Sequence, residues 1–364
     1  MRLNLALLPG DGVGPEVIGQ AVRALEIIAD TCDHDVDMRE FPIGGAALRA
    51  RGVALPPETL DGCLAADAVL LGAVGDPAFD HLEPGKRPES ALLALRGALG
   101  GFANLRPALT DPALINATPY RPERVAGADV LIVRELLGGL YFGQPRGGTA
   151  DEAFNTMRYT RTEVERVARV GFEQARRRRQ FVCSVDKANV LETSRLWRTV
   201  VSEVGRDYPD VRLSHMYVDA CAMRLATEPT HFDVILTENL FGDILSDEAA
   251  VLTGSLGLLP SASIGDGPGL FEPVHGSAPD IAGQDIANPF GAILSAAMLL
   301  RHTAGLSREA DLIEDAVRGV LDMNMRPADL APPGSRPSST SELGDAVVSA
   351  LSELIEYRHA YHAV

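Results

Sequence analysis

Short apolar runs recur along the chain at lengths that suit buried strands, and stretches of helical spacing separate them. Leu3 to Leu8 is the first run. It stops at Pro9-Gly10-Asp11-Gly12-Val13-Gly14-Pro15, after which Val17, Ile18, Val22, Leu25 and Ile28 fall near helical spacing. Ala68 to Leu71 (closed by Gly72), Val130 to Val133, Phe181 to Val185 and Val234 to Leu236 repeat the strand pattern. Uninterrupted apolar strands alternating with helices predict an α/β chain whose largely parallel sheet is covered on both faces. Residues 140–159 depart from this rhythm. They are rich in Gly, Thr and aromatics, turn at Pro145-Arg146-Gly147-Gly148, and predict a protruding hairpin, suited to subunit contact or to a plain surface loop. Residues 331–339 read as a surface loop before one last helix. No linker stands between residues 90 and 260, so a division into two domains has to be made by crossovers.

Composition narrows the class. A chain of 364 residues, 46% hydrophobic and 5% aromatic, can build two lobes with their own cores. A formal net charge of -17 argues against nucleic acid and anionic membranes as partners. No apolar run has the length of a bilayer span, and Met1 to Leu5 lacks the charged and apolar regions of a secretory leader. Cys32, Cys63, Cys183 and Cys221 are scattered without metal-type spacing and are expected to be reduced thiols in a cytoplasmic protein. The basic run Arg176 to Arg179 is expected to complement the dipole at a helix C-terminus.

Gly10, Gly12 and Gly14 after a strand imitate a dinucleotide-binding turn, but the third glycine comes two residues after the second and Pro15 follows it. The expectation is therefore not a Rossmann fold but a tight strand-to-helix turn beside a site.

The chemistry concentrates elsewhere. Asp243 and Asp247 are four apart in Thr237-Glu-Asn-Leu-Phe-Gly-Asp-Ile-Leu-Ser-Asp-Glu248. On a helix both carboxylates project from one face. That arrangement is either a solvated acidic face or hard oxygen ligands for Mg²⁺ or Mn²⁺, and the apolar flanks favour the second by predicting a mostly buried segment. Arg134 and Lys187 directly follow strand runs, and Arg96 and Arg106 sit in Leu92-Leu93-Ala-Leu-Arg96 and Phe102-Ala-Asn-Leu-Arg106. Cations at the C-terminal ends of parallel strands suit a substrate with two or more carboxylates. Tyr217-Val218-Asp219 adds a third acid, which is alternatively a helix cap, and Tyr141 is alternatively a packed hairpin aromatic.

These motifs, with Asn239 to Glu248, Gly254-Ser-Leu-Gly-Leu-Leu-Pro-Ser-Ala262 and Phe271-Glu-Pro-Val-His-Gly-Ser-Ala-Pro-Asp-Ile-Ala-Gly283, resemble the metal-dependent β-decarboxylating dehydrogenases of the isocitrate/isopropylmalate dehydrogenase family, essentially end to end. The resemblance implies a two-domain α/β fold with a mixed, mostly parallel sheet. The cofactor-binding domain would be discontinuous, residues 1–101 plus 254–364, and residues 102–253 would form the substrate, metal and dimerisation domain. It implies that Arg96, Arg106 and Arg134 hold substrate carboxylates. Asp219, Asp243 and Asp247 would serve Mg²⁺ or Mn²⁺, and Lys187 and Tyr141, with Asp219, would move protons. Lys187 and Asp219 are expected to reach a partner's site, making the active unit a homodimer. The cofactor segment runs from His275 through Gly276, Ser277, Ala278, Pro279, Asp280 and Ile281 to Asn288, with Glu89 near the nicotinamide ribose. Asp280 suits a ribose diol and would repel a 2′-phosphate, which favours NAD. Leu92 and Leu93, on one helical face with Glu89 and Arg96, suit a branched alkyl group, although Leu92, Leu95 and Leu99 also make an ordinary core stripe. The implied reaction is the oxidative decarboxylation of a branched hydroxy dicarboxylate of the isopropylmalate type in leucine biosynthesis. D-malate or tartrate, and a non-catalytic homologue, are the alternatives. Leu137 and Asp76 depart from residues common in the family, Thr and Gly.

Overall fold

The computed structural model describes residues 1–362, with side chains through residue 358. Its contacts divide it into two compact units, Met1–Gly100 with Ser255–Val364, and Gly101–Gly254.

The first unit opens with β1 (Arg2–Gly10), α1 (Gly14–Thr31), β2 (Asp35–Glu40), α2 (Gly44–Arg51), α3 (Pro57–Ala65), β3 (Ala68–Ala73) and α4 (Pro88–Leu99). The second unit then runs without interruption. It holds β4 (Ala103–Leu109), α5 (Pro122–Val125), β5 (Asp129–Glu135), β6 (Gly147–Gly148), β7 (Ala153–Phe154), α6 (Arg161–Arg176), β8 (Phe181–Asp186), α7 (Glu192–Gly205), β9 (Arg212–Tyr217), α8 (Val218–Thr227), β10 (Val234–Thr237) and α9 (Asn239–Ala250). The chain returns to the first unit with β11 (Pro260–Ile264), β12 (Gly269–Pro273), α10 (Phe290–His302), α11 (Ser307–Asp322) and α12 (Thr340–His362).

In the first unit the strands lie in the order β2-β1-β3-β12-β11. All neighbours are parallel except β11 and β12. Every residue of β3 is buried, as a strand covered on both faces requires. Ala6, Leu8, Val69 and Leu71 face Ile43, Cys63, Ala91, Leu95 and Leu99 from the α2–α4 side. Helix α1 buries Val17, Ile18, Ala21, Ala24, Leu25 and Ile28. Small alanines therefore complete the stripe, and Val22 is only partly covered.

In the second unit the order is β4-β5-β10-β8-β9, with β4 antiparallel to β5 and the other pairs parallel. Val130, Ile132, Cys183, Val185 and Ile235 pack with Cys221, Leu225, Leu245 and Ala249 of α8 and α9. Residues 140–159 carry the β6–β7 pair, with Gly147 opposite Phe154. All four cysteines are free, and burial pushes the Cys63 thiol up to about 12 and that of Cys183 to about 11. Among the described residues no helix is long and apolar enough to cross a membrane.

The basic run departs from its expected role. Only Arg176 lies in the last turn of α6, where it pairs with Asp210 at 2.8 Å. Arg178 instead bridges Asp233 and Asp129, each at 2.8 Å. Asp233 is buried, and a buried carboxylate requires such a partner.

Candidate active site

The second unit gathers its chemical groups at one edge because β5, β10, β8 and β9 are parallel. Arg134 stands opposite Thr237, Thr237 opposite Val185, and Asp186 opposite Tyr217. Arg134, Asn239, Lys187 and Asp219 all lie at or just beyond this row, at the carboxyl ends where α/β sheets place ligands. Arg106 joins from β4, two residues along from Asn104, which faces Arg134.

Asp243 and Asp247 stand one turn apart on α9, whose other face is packed through Gly242, Leu245, Ser246 and Ala249. The expectation of a mostly buried segment holds for that face only. The Asp243 side chain is 33% exposed and that of Asp247 68%, because positions four apart share the rim of the helix rather than its packed side. Asp243 accepts hydrogen bonds from Arg134 Nη1 and from the Tyr141 hydroxyl. Arg106 Nη1 lies 3.4 Å from Asp247, 3.8 Å from Asp243 and 2.7 Å from Ser246 Oγ. Arg134 is nearly inaccessible. Gly242 makes room for it: a Cβ there would sit 2.6 Å from Arg134 Cγ and 2.8 Å from its Cβ. Burial, then the Asp243 hydrogen bond, raises the Tyr141 hydroxyl above its ordinary 10, so the phenol keeps its proton at neutral pH. Tyr141 is thus part of the site, not a packed hairpin aromatic.

Lys187 and Asp219 form a second group, with Nζ 2.7 Å from Oδ1. The Lys187 hydrogen bond is the main reason the Asp219 carboxyl falls below its ordinary 3.8. Asp219 lies inside the first turn of α8 and does not cap it, since Tyr217 takes the cap position. Among the described residues no three His, Cys, Asp or Glu side chains converge in a group able to hold a metal. One chain thus brings Asp243 and Asp247 together and leaves Asp219 with Lys187. Two adjacent carboxylates, one largely exposed, are a fitting but incomplete donor set for a hard dication.

The first unit carries the remaining candidates. Arg96 Nη2 donates to Glu272 Oε1 at 2.6 Å, and Arg96 Nε is buried without an acceptor, a donor left for an anion. Leu95 and Leu99 are in the core and Leu92 packs against it, whereas Leu93 is 44% exposed. The core stripe therefore accounts for most of Leu92, and Leu93 is the apolar side chain open to a ligand. Glu89 Oε1 and Ser277 Oγ would each lie 3.2 Å from a Cβ placed on Gly75, so both flank that backbone position. The turn at residues 10–14 packs against the same segment. Val13 donates to the Ser277 carbonyl at 2.8 Å, and a Cβ on Gly12, whose φ is +57°, would sit 1.8 Å from that oxygen. Those glycines serve close approach of two backbone segments. His275 Nδ1 meets the Gly276 carbonyl at 2.9 Å, and its Nε2 is buried with no partner. An unpartnered buried ring nitrogen in a glycine-containing segment suits a nucleotide. Gly276, Pro279 and Asp280 are exposed, and Ala278 and Ile281 partly so. Asn288 is committed elsewhere: it accepts from Phe290 N at 3.0 Å and donates to Asp329 at 3.1 Å, holding the start of α10. Asp76 begins a turn, accepting from Ala78 N at 2.9 Å, and pairs with Arg49.

Sequence reasoning did not single out Asp11, Glu135, Glu238 or Glu272. Buried Asp11 collects the amides of Gly45, Ala46 and Gly75 at 2.7–2.9 Å. Glu135 and Glu238 are buried acids near Arg134 in sequence or space, and burial raises each to about 7. No local spacing signals them.

Fold and site together define an α/β enzyme with paired guanidiniums and carboxylates at a sheet edge. The model for isocitrate/isopropylmalate dehydrogenase matches residues 4–347, and the chain belongs to that family. It is 56% identical over 361 residues to a 3-isopropylmalate dehydrogenase of Bordetella parapertussis, covering 96% of this chain and 100% of that one. It is 55% identical over 355 residues to a 3-isopropylmalate dehydrogenase of Gloeobacter violaceus, covering 96% and 98%. Among solved structures it resembles an isocitrate dehydrogenase from Methylococcus capsulatus, with a TM-score of 0.85, 37% identity and coverage of 96% and 99%.

Proposed function

We propose that the chain catalyses NAD-dependent oxidative decarboxylation of (2R,3S)-3-isopropylmalate to 4-methyl-2-oxopentanoate and CO₂, a step of leucine biosynthesis. The observation that carries this reading is its 56% identity, across nearly the whole length, to a protein of that activity. Leu93, exposed three residues before Arg96, supports a branched alkyl group beside a carboxylate in preference to a third carboxylate.

In this reading Arg106 and Arg134, with Arg96 of the first unit, take the substrate carboxylates through paired N–H donors. Asp243 and Asp247, joined by Asp219 of a second copy, would hold Mg²⁺ or Mn²⁺. Such a cation supplies acidification of the substrate hydroxyl and offsets charge on the neighbouring oxygen. Lys187, as the free amine, accepts the hydroxyl proton, and Asp219 at 2.7 Å stabilises the resulting ammonium. Glu89 and His275 to Ile281 would hold NAD, which supplies a hydride acceptor, and Asp280 would receive the ribose diol. After CO₂ leaves, Tyr141 donates its retained proton to the substrate carbon.

The active unit is read as a homodimer in which Lys187 and Asp219 complete the partner's site. The separation of Asp219 from Asp243 and Asp247 in one chain supports this, as do the exposed apolar side chains Met223 on α8 (72%) and Ile244 on α9 (57%).

The test is NAD reduction with Mg²⁺ or Mn²⁺ on isopropylmalate, isocitrate, D-malate and tartrate. Preference for isopropylmalate is expected; preference for D-malate or tartrate would replace the substrate, and no turnover would overturn the reading. Mixing inactive Lys187→Met and Asp243→Asn proteins after dissociation should restore activity if sites are shared. No recovery would place all the groups of a site in one chain.

A further inference from the structure

We infer that Asn239 is a positioning residue that sets both the guanidinium edge Arg134 offers to substrate and the loop leading to Tyr141. The inference rests on the proposed reaction for the roles of those two residues.

Asn239 opens α9 directly after β10 and is buried. Its main-chain N–H donates to the Tyr159 hydroxyl at 2.9 Å, which fixes the backbone. Its side-chain Nδ2 donates to the carbonyls of Leu136 at 2.9 Å and Gly138 at 3.1 Å. Those two acceptors settle the amide's orientation: a flipped amide would set its oxygen against two carbonyls and its NH₂ against a guanidinium. Oδ1 therefore faces Arg134 and accepts from Nε at 3.1 Å and Nη2 at 2.7 Å. One edge of the guanidinium is thereby used, and Nη1 is directed to Asp243. The other half of the amide holds residues 136–138, which run straight into the turn Gly139–Tyr141. Glu135 supports the same loop, accepting from Leu137 N at 3.1 Å and Gly138 N at 2.8 Å. A single amide thus joins a carboxylate-binding side chain to the proposed proton donor, and its two ends can be tested separately.

Asn239→Ala removes both connections. Asn239→Asp keeps an oxygen for Arg134 and loses the donor to the loop. The assay uses whichever of isopropylmalate, isocitrate, D-malate and tartrate the wild-type enzyme turns over, so failure of the substrate assignment shows in the wild type and not in the variant ratios. Asn239→Ala should raise KM for the hydroxy acid and lower kcat, each by about 10-fold or more, as loss of orientation does. KM for NAD should stay within about twofold. Asn239→Asp should keep KM within about threefold of wild type while kcat falls as far as in Asn239→Ala. In an Arg134→Lys background, the Asn239→Ala effect on KM should largely vanish, as coupled residues require. A merely structural asparagine would lower thermal stability and active fraction, leave both KM values alone, and add independently to Arg134→Lys. That pattern, or a wild-type KM in Asn239→Ala, would overturn the inference. Asn239→Ser, smaller and still polar, gives the same KM comparison if Asn239→Ala does not fold.

Discussion

Replacing Glu238 with Gln should change how stability depends on pH. The Glu238 carboxyl is buried, its Oε1 has no hydrogen-bond partner, and the Phe241 amide donates to the group. Burial, reinforced by the charge of Glu135, raises it from an ordinary 4.5 to about 7. The folded state therefore keeps a proton that the unfolded chain releases near 4.5. Because the unfolded state binds fewer protons in this window, stability falls as pH rises from about 4.5 to about 7 and levels off above it. At about 1.4 kcal/mol per pH unit, this one group costs on the order of 3 kcal/mol at pH 8 relative to pH 4.5. Glutamine keeps an acceptor for Phe241 and does not titrate. Its NH₂ group adds a roughly constant cost of about 1–3 kcal/mol if it finds no acceptor, so the informative quantity is the change of the variant-minus-wild-type difference with pH. The second unit offers its own reporter: Trp197, the sole tryptophan, is buried there with its ring 5.8 Å from that of Tyr159. Urea unfolding would be followed by Trp197 fluorescence at pH 5, 6, 7 and 8, at fixed ionic strength with chelator present. The Glu238→Gln midpoint should move upward relative to wild type by about 1 M urea between pH 5 and 8, taking a slope near 3 kcal/mol/M. A difference that stays constant over that range would refute the argument that an ionisable proton is trapped at Glu238.

Gly242→Ala should displace Arg134 at the root of its side chain, raising KM for the hydroxy acid about 10-fold or more at a stability cost of about 1–3 kcal/mol; unchanged KM would show that Arg134 is not held there. Lys187→Met should abolish turnover while NAD binding, measured by calorimetry, stays near wild type; an unchanged kcat would remove Lys187 from proton transfer. Leu93→Ser should lower kcat/KM for isopropylmalate about 10–100-fold relative to D-malate, and equal losses on both substrates would mean that Leu93 does not meet the alkyl group.

The apolar runs located the strands because buried parallel strands leave an unbroken signature, and the four-residue spacing of Asp243 and Asp247 found a helix rim correctly. Their burial was overestimated because flanking hydrophobicity reports the packed face and says nothing of the opposite one. Val22 illustrates a similar limit: helix α1 packs through Ala21 and Ala24, which an apolar-periodicity reading underweights. Asn239, Glu272, Glu238 and Asp11 were illegible for another reason. Each owes its role to neighbours far along the chain, as Arg96 is to Glu272 or Gly75 to Asp11. The glycines at 10, 12 and 14 were legible as a turn, but their partner, Ser277, was not.

The interrupted course of the first unit has a bearing on biosynthesis. All strands of the second unit have been made once residue 254 is synthesised. At that moment β3 still lacks its neighbour β12, and α1 lacks α10 and α12, on which it packs. The middle of the polypeptide can therefore mature on the ribosome while the N-terminal hundred residues wait, half-dressed, for the last hundred to emerge, reversing the usual head-first order of domain folding.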